Sequence, residues 1–480
     1  MAPSPRKLLA PLAAASLFAV VDASCRLAST GTSGDVLLKG TVLTSEGAVA
    51  NGRLLVQAGK IAYAGSQCGF GPEPEDITVV ECTGSVISPG FINTHEHIEY
   101  STVTPLVDIG ERVDHRHDWR RGLRGNTMRP APVNGSAVAA TAWGELRHMF
   151  SGTTSIVGGA MAPGLTRNLD FVAGLESGIL SPVATWDIFP LNDARGILRN
   201  GDCDYGPNMT STEAAGKLYR YMAHVGEGVD AEAANEFRCL SDKTFDVTPQ
   251  QGGGGLSTDI IRPNLALIHA LGLSEADFDL VAERKATIVW SPRSNVFLYG
   301  KTLDVKYLLD AGITVALGTD WLPSGSATMS REAICGFSAT KISYGTTLDT
   351  KTIWEMMTIN AATVAGFEKH VGSFQKGKVA DIAIFGGEAL EDSFAQAVFA
   401  DPKDIELVMR GGKVLLASER LDGLAKGLCE QAVFGNVNKT VCVEEELGRS
   451  FAAFEASLGG VYPAILPGVP DGEPTCEPTR

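Results

Sequence analysis

Through the middle of the chain, apolar runs of strand length alternate with stretches of helical length. The clearest runs are TTSIVGG, SPVATWDIF, LALIHAL, ATIVWSP and ITVALGTD, at residues 153–159, 181–189, 265–271, 286–292 and 313–320. Strands that alternate with helices predict parallel pairing. Residues 88–365 supply seven good strands for a (β/α)8 barrel, and an eighth would have to lie within 189–216. The clearest helix start is Ser274, which can cap the turn that carries Asp277.

The two ends of the chain have a different pattern. Residues 35–87 contain short strand-like runs separated by glycines, and the same style returns within 366–420 as KVADIAIFGG and IELVMRGGKVLL. Glycines between short apolar runs are typical of turns that connect strands. We therefore expect a small composite β unit, made from both ends, that flanks the α/β region. Residues 421–480 are a C-terminal extension that the pattern does not place.

The first residues have the pattern of a secretory signal peptide. Arg6 and Lys7 precede the apolar run LLAPLAAASLFAVV, and small residues predict cleavage after Ala23. A lipoprotein signal that ends at Cys25 fits poorly, because Asp22 stands where a leucine-like residue is needed. We expect a secreted, extracellular protein, or a periplasmic one in a bacterium. No later segment approaches about 20 consecutive apolar residues, so no membrane span is expected after signal removal.

The charge and the cysteines narrow the range of partners and compartments. Cleavage after Ala23 removes two basic residues and one acid, so the formal net charge changes from −16 to −17. An acidic chain without a basic stripe repels nucleic acid, which leaves a small-molecule substrate as the expected partner. A homo-oligomer is one alternative for the assembly. Nine cysteines predict local disulfides in an oxidising compartment, and the nearest pairs are Cys68–Cys82, Cys203–Cys239 and Cys429–Cys442. Sequons at Asn134, Asn208 and Asn438 would make a eukaryotic form a glycoprotein.

Polar residues at strand ends provide the candidate chemistry. His95 and His97 follow the apolar run VISPGFI, in a chain of 480 residues with only eight histidines. Residues i and i+2 of a strand point to the same face, so both rings can reach one metal ion. Other apolar runs end in polar groups that could complete the site: His224 with Glu227 three residues later, His269, and Asp320. The carboxyl ends of parallel barrel strands converge on one face, where catalytic residues collect.

These motifs, taken in order, resemble a known family. HxH after PGFIN, HxxE at 224–227, His269, SPRSN at 291–295 and GTD at 318–320 are followed by GSFQKGKVADIAIF. Together they resemble the amidohydrolase superfamily, closest to its branch of cytosine deaminases, chlorohydrolases and methylthioadenosine/S-adenosylhomocysteine deaminases. The resemblance covers roughly residues 35–420. It implies a metal-bearing (β/α)8 TIM-like barrel, with a composite β-sandwich built from segments 35–87 and 366–420.

The resemblance also assigns roles to the candidate residues. His95, His97, His224 and Asp320 would bind one divalent metal, with zinc expected and iron as the alternative. The chain has no lysine between Lys60 and Lys217, so the carbamylated lysine that bridges two metals in many members is absent. His269 would hydrogen-bond the attacking water or the developing oxyanion, Asp320 would accept the water proton, and Glu227 would shuttle a proton.

The expected reaction is hydrolytic deamination of an amino-substituted heterocycle by a metal-activated water. The same residues could serve an amidase, a cyclic amide hydrolase or a dehalogenase of the superfamily. The remaining alternative is a non-catalytic secreted metal-binding protein. Related deaminases often have His-Asn-Pro or His-Cys-Pro where this chain has Trp290-Ser291-Pro292, so the substrate of any one relative does not transfer.

Four further residues are candidates for substrate contact. Trp321 follows Asp320 directly, and Ser291 and Asn295 belong to the SPRSN segment. A second HxH motif lies at His115 and His117, within the charged sequence HRHDWRR. No strand precedes it, so we expect a loop over the barrel mouth from which His117 contacts the substrate.

Overall fold

The computed structural model describes residues 22–130, 136–247 and 256–480, so most of the predicted signal peptide lies outside the described residues. The described chain begins with five strands that have apolar residues on their buried faces. They are β1 (Asp22–Ser29), β2 (Val36–Thr44), β3 (Gly47–Gln57), β4 (Lys60–Ser66) and β5 (Thr78–Pro89).

The central region contains eight short strands, and all of their pairings are parallel. They are β6 (Phe91–Asn93), β7 (Thr153–Ile156), β8 (Arg167–Asn168), β9 (Ala184–Asp187), β10 (Arg220–Val225), β11 (Leu265–His269), β12 (Thr287–Trp290) and β13 (Val315–Leu317). One sheet has the order β6-β7-β8 and the other has the order β13-β12-β11-β10-β9. The α/β character expected from the sequence is confirmed.

The eighth strand is not where the sequence suggested. Residues 189–216 are all described, and they contain no strand; the additional strand is β8, only two residues long. Backbone hydrogen bonds join the edges of the two parallel sheets. The amide of Thr94 donates to Leu317 over 3.4 Å, and the amide of Ala184 donates to Leu169 over 3.0 Å.

Helices connect the strands and pack against them. The α-helices are α1 (Gln67–Phe70), α2 (Arg116–Arg121), α3 (Ala137–Met149), α4 (Val172–Leu175), α5 (Thr212–Lys217), α6 (Ala231–Ser241), α7 (Glu275–Glu283), α8 (Pro292–Tyr299), α9 (Val305–Asp310), α10 (Met329–Tyr344), α11 (Thr350–Met357), α12 (Ile359–Ala365), α13 (Ser393–Val398), α14 (Glu444–Leu447) and α15 (Phe451–Leu458). Ser274 caps α7 as predicted, and Asp277 completes its capping box. Among the described residues, no helix has the length and apolar character needed to cross a membrane.

Strands from both ends of the chain belong to one large sheet. The C-terminal strands are β14 (Ile382–Phe385), β15 (Gly387–Glu388), β16 (Ile405–Arg410), β17 (Lys413–Ser418), β18 (Glu430–Phe434) and β19 (Val437–Val441). The antiparallel pairing of β5 with β14 joins the two ends. Strands β18 and β19 also belong to this sheet, so the extension after residue 421 contributes to it. The cluster of buried side chains over the sheet draws on both ends, with Leu38 and Val80 beside Ile382 and Leu407.

Four disulfides cross-link the described chain. Two agree with the pairs expected from the sequence, Cys203–Cys239 and Cys429–Cys442. The expected bond between Cys68 and Cys82 is wrong, because Cys82 bonds to Cys25 and Cys68 is free and exposed. The reason is the pairing of β1 with β5, which places Cys25 directly opposite Cys82. A fourth bond joins Cys335 in α10 to Cys476 in the C-terminal tail.

Candidate functional site

The candidate ligands lie at the carboxyl ends of the central strands. His95 and His97 follow β6, His224 lies near the end of β10, and Asp320 follows β13. Backbone hydrogen bonds hold two of these segments together, because the amide of Asp320 donates to His95 over 2.9 Å and the amide of His97 donates to Asp320 over 2.8 Å. His269, the last residue of β11, and Asp320 both have left-handed backbones, with φ of 68° and 65°. Non-glycine residues in this region are strained and cluster at functional sites.

The side chains of these residues converge on one point. The Nε2 atom of His95 lies 3.4 Å from Nε2 of His97 and 3.1 Å from Nε2 of His224. The Oδ1 atom of Asp320 is 3.4 Å from Nε2 of both His95 and His97. His269 belongs to the same group of metal-ligand side chains, with its Nε2 atom 4.0 Å from Oδ2 of Asp320. The structure therefore brings together the residues that the sequence predicted as ligands.

Hydrogen bonds at Nδ1, on the side of each ring that faces away from the candidate metal site, determine which ring nitrogen directs a lone pair toward that site. Nδ1 of His224 lies 3.1 Å from the backbone carbonyl of Asp187, which can only accept, so Nδ1 carries the proton. The amide oxygen of Asn295 accepts from Nδ1 of His269 over 2.9 Å, and Ser291 Oγ lies 3.1 Å from Nδ1 of His95. Imidazoles tied in this way present Nε2 as a ligand atom.

Burial keeps the imidazoles of His95, His97 and His224 neutral. Burial, together with the neighbouring imidazoles, lowers the pKa of His95 and His224 well below the usual value. Burial lowers the pKa of His97 to about 3, and His269 and Arg120 contribute to the shift. Burial and then Glu227 raise the pKa of Asp320 well above its usual range, while Ser294, which donates to Oδ2 over 2.5 Å, opposes this. A cluster of neutral imidazoles around one carboxyl group suits a divalent cation, which would restore the charge of the carboxylate.

Glu227 lies beside this centre and is held by a tyrosine. The hydroxyl of Tyr299 donates to Oε1 of Glu227 over 2.6 Å, and the indole of Trp119 donates to the same hydroxyl over 3.1 Å. The other carboxylate oxygen, Oε2, is 3.9 Å from Nε2 of His269. Glu227 is therefore oriented with one oxygen fixed and the other directed to the reaction side.

A cavity of about 280 Å³ opens onto these residues. Its metal-side wall consists of His97, His224, Glu227, His269 and Asp320, and the other walls are formed by Tyr100, Arg116, Trp119, Arg120, Arg129, Pro130, Ile188, Phe189 and Trp321. The rings of Trp119 and Trp321 lie 5.2 Å apart at 33°. Aromatic walls of this kind bind planar rings through stacking.

The predicted substrate contacts are only partly on the cavity wall. Trp321 lines the cavity, whereas Ser291 and Asn295 lie behind His95 and His269 as hydrogen-bond partners. The second HxH motif does not lie in a loop, because it begins the short helix α2, and His117 is buried against Asp193. The helix does cover the cavity, but with Arg116, Trp119 and Arg120.

Two residues of the site, Tyr299 and Ser294, were not predicted from the sequence. Tyr299 lies one helical turn after Asn295 in α8, so both project toward the centre from one face of the helix. Ser294 was within the SPRSN segment, and its contact with Asp320 depends on the turn that begins α8 immediately after β12.

Comparisons with known proteins find similarity to amidohydrolases. A model described as the amidohydrolase family matches residues 212–415. A 5-methylthioadenosine/S-adenosylhomocysteine deaminase from Halothermothrix orenii is 26% identical over 369 residues, which cover 70% of this chain and 81% of the relative. A 5′-deoxyadenosine deaminase from Methanothermobacter thermautotrophicus is 24% identical over 427 residues, which cover 81% and 95% of the two chains.

A solved structure shares the fold. The zinc-bound adenosine deaminase from Xanthomonas campestris aligns with a TM-score of 0.56 at 19% identity, covering 80% of this chain and 93% of that chain. The family match, the relatives and the fold agree with the resemblance that the sequence motifs indicated. The chain is an amidohydrolase-type, metal-dependent hydrolase that acts on carbon–nitrogen bonds other than peptide bonds.

Proposed function

We propose that this chain catalyses the hydrolytic deamination of an amino-substituted heterocycle, with an adenosine-like ring as the first class to test. The relatives that deaminate adenosine derivatives support this class, and the aromatic cavity fits a planar ring. The observation that carries the proposal is the convergence of three Nε2 atoms and one carboxylate oxygen within 3.1–3.4 Å contacts, beside a glutamate held by Tyr299.

His95, His97, His224 and Asp320 would hold one metal ion, which we propose is zinc. The donor set fits, because neutral imidazoles and a carboxylate are ligands that zinc prefers, and the remote nitrogen of His224 is tied to a carbonyl. When bound, zinc supplies a Lewis acid that lowers the pKa of a coordinated water to about 7.

The chain's own residues would then move the protons. Asp320 accepts a proton from the attacking water through Oδ2, which Ser294 orients. Because Nδ1 of His269 donates to Asn295, its Nε2 atom can accept a hydrogen bond from the attacking water and orient it. Glu227 delivers a proton to the ring nitrogen next to the reacting carbon from Oε2, since Tyr299 occupies Oε1, and then assists departure of the amine.

The proposal includes a closed (β/α)8 barrel with a composite β-sandwich. Eight parallel strands and the hydrogen bonds at Thr94 and Ala184, which join the edges of the two sheets, support closure. The buried cluster with side chains from both ends of the chain supports the sandwich. The candidate ligands at the carboxyl ends of β6, β10 and β13, with His269 at the end of β11, match the face on which such barrels place active sites.

Export of the chain is part of the proposal. The N-terminal pattern of two basic residues and an apolar run supports it, as do the four disulfides among the described residues, since such bonds persist in oxidising compartments. Mass spectrometry of the N-terminus of protein secreted by the native host should give Ser24 as the first residue. An intact Met1 would contradict export by this signal.

The test is mass spectrometry of zinc-loaded protein incubated with amino-purines, amino-pyrimidines and triazines. Replacement of an amino group by oxygen, with release of ammonia, is the expected result. Glu227→Gln should lose at least about 100-fold in turnover with unchanged zinc content. Glu283→Gln, an identical change at an exposed helix end, should be fully active. Addition of a whole water to a substrate, or full turnover by Glu227→Gln, would overturn the assignment.

A further inference from the structure

Two arginines of α2, Arg116 and Arg120, line the cavity, and they differ in their ion pairing. Arg116 is buried, and its Nη2 lies 2.6 Å from Oδ2 of Asp193 and 3.2 Å from Oε1 of Glu236. Its Nη1 donates to the carbonyl of Ile188 over 2.9 Å. Two carboxylates therefore compensate the charge of Arg116, so its guanidinium is already paired within the protein.

Arg120, one helical turn later, has a different environment. Among the described residues, no carboxylate lies within 4.0 Å of its guanidinium, although Arg120 is only partly exposed. The guanidinium packs over the ring of Phe189, 4.4 Å from the centroid. Burial and then Arg116 lower the pKa of Arg120 from its usual value, and the more distant carboxylates of Glu227 and Asp193 offset only part of this shift. A cation partly withdrawn from water without a carboxylate in direct contact is costly, so a compensating anion would bind there favourably.

A hydrogen bond to His117 fixes the orientation of Arg120. Nη1 of Arg120 donates to Nδ1 of His117 over 3.0 Å, and Nε2 of His117 donates to Oδ2 of Asp193 over 2.7 Å. Because the carboxylate can only accept, the proton of the neutral ring is on Nε2 and the lone pair on Nδ1 faces Arg120. The other N–H donors of Arg120 have no partner within the described part of the chain. The sequence analysis predicts that His117 contacts the substrate. In the structure, His117 instead positions Arg120, which lines the cavity.

We infer that the substrate of this site carries a carboxylate or a similar planar anion, which Arg120 binds through paired hydrogen bonds. A guanidinium matches a carboxylate with two parallel hydrogen bonds, which gives both energy and orientation. Arg120 and the metal-side residues share one cavity of about 280 Å³, so the acidic group and the reacting carbon must belong to one compact molecule. The inference rests on the proposed function, since it names the substrate class of the same site.

The test compares isosteric ligands that differ only in charge. Carboxylate and carboxamide forms of an aminopurine, an aminopyrimidine and an aminotriazine are titrated into zinc-loaded protein by calorimetry. At least one carboxylate should bind about tenfold or more tightly than its carboxamide, and salt should weaken this preference. Equal or undetectable binding of both forms in all three pairs would overturn the inference.

Variants of Arg120 test whether this arginine or the metal causes the preference for carboxylate over carboxamide ligands. Arg120→Met should abolish the preference, and Arg120→Lys should retain part of it, because the charge remains and the paired geometry is lost. Arg121→Met removes the same charge from an exposed neighbour and should bind as the wild type does. A preference for carboxylates that persists in Arg120→Met would mean that the metal binds the anion, and would contradict the inference.

A separate ammonia assay distinguishes the failure of each proposal. Binding of a carboxylate through Arg120 without ammonia release from any compound would overturn the deaminase assignment and leave the anion site standing. Deamination of neutral rings, with no preference for charge in binding, would leave the deaminase assignment standing and overturn the anion site.

Discussion

The chain contains the pattern His-x-His twice, and the side chains of the two copies have different arrangements. In the first copy, Nε2 of His95 and Nε2 of His97 are 3.4 Å apart, and both lie 3.4 Å from a single oxygen of Asp320. In the second copy, each ring has its own carboxylate: His115 lies 3.2 Å from Glu236 and His117 lies 2.7 Å from Asp193. The first pair shares one centre, whereas the second pair is divided between two.

Backbone position explains the difference. The first pair follows strand β6, where alternate side chains point to one side. In the second pair, His115 is the N-cap of α2 and accepts a hydrogen bond from the amide of His117, which directs the two rings to different partners. The pattern therefore predicts a metal site only when a strand precedes it and further ligands arrive from neighbouring strands.

The largest expected difference between the pairs is in metal binding. His97→Asn removes a ligand, so dialysed protein should contain close to no zinc, and turnover should fall by at least about 100-fold. His117→Asn should retain one zinc per chain, because His117 lies outside the ligand cluster. Elemental analysis of both variants by mass spectrometry measures this. Equal zinc contents would contradict the assignment of the first pair.

The carboxylates around the second pair give the next largest effect, on stability. Arg116→Met leaves Asp193 and Glu236 buried without their shared cation, which should cost roughly 3–5 kcal/mol of unfolding free energy. The exposed control Arg121→Met should change it by less than about 0.5 kcal/mol. Urea unfolding of the metal-free proteins measures both, and similar stabilities would mean that the buried cluster does not need Arg116.

The contrast also shows how much the sequence could predict. The first pair was predictable because an apolar run ends three residues before His95, and the same kind of signal identified His224, His269 and Asp320. The helix after the second pair was missed because its cap is a histidine. His115 and Asp118 form a capping box with the spacing that was recognised at Ser274, but without the residue type that usually marks it.

Other errors came from features that have no local pattern. Strand β8 has two residues, too few for any periodicity, so the eighth strand could not be located. The partner of Cys82 depends on strand β1, which pairs with β5 and precedes residues 35–87, the region for which the sequence predicts strands. The roles of Ser291 and Asn295 depend on which face of α8 points to the rings of His95 and His269.

The neutral state of the first pair should also appear in the pH dependence of the metal-free protein. Burial, then His269 and Arg120, lower the pKa of His97 from 6.5 to about 3. The folded chain then binds fewer protons than the unfolded chain between these values. The contribution of His97 is therefore complete above pH 6.5 and is lost as the pH falls toward 3, by up to about 1.4 kcal/mol per unit.

Urea unfolding of chelator-treated protein at several pH values from about 4 to 7 tests this linkage. His97→Gln should have a smaller slope of unfolding free energy against pH than the wild type. Lys285→Gln, at an exposed position, should keep the wild-type slope. Identical slopes for the wild type and His97→Gln would show that the ring is not held neutral in the metal-free fold.

The smallest expected effect separates the two tasks of His115. His115→Asn keeps a good N-cap for α2 but loses the contact with Glu236, whereas His115→Ala loses both. The alanine variant should therefore be less stable than the asparagine variant by about 1 kcal/mol, the usual value of a cap. Thermal unfolding of the zinc-loaded variants measures the difference, and both should retain zinc. Equal stabilities would mean that the side chain at position 115 does not stabilise α2 as an N-cap.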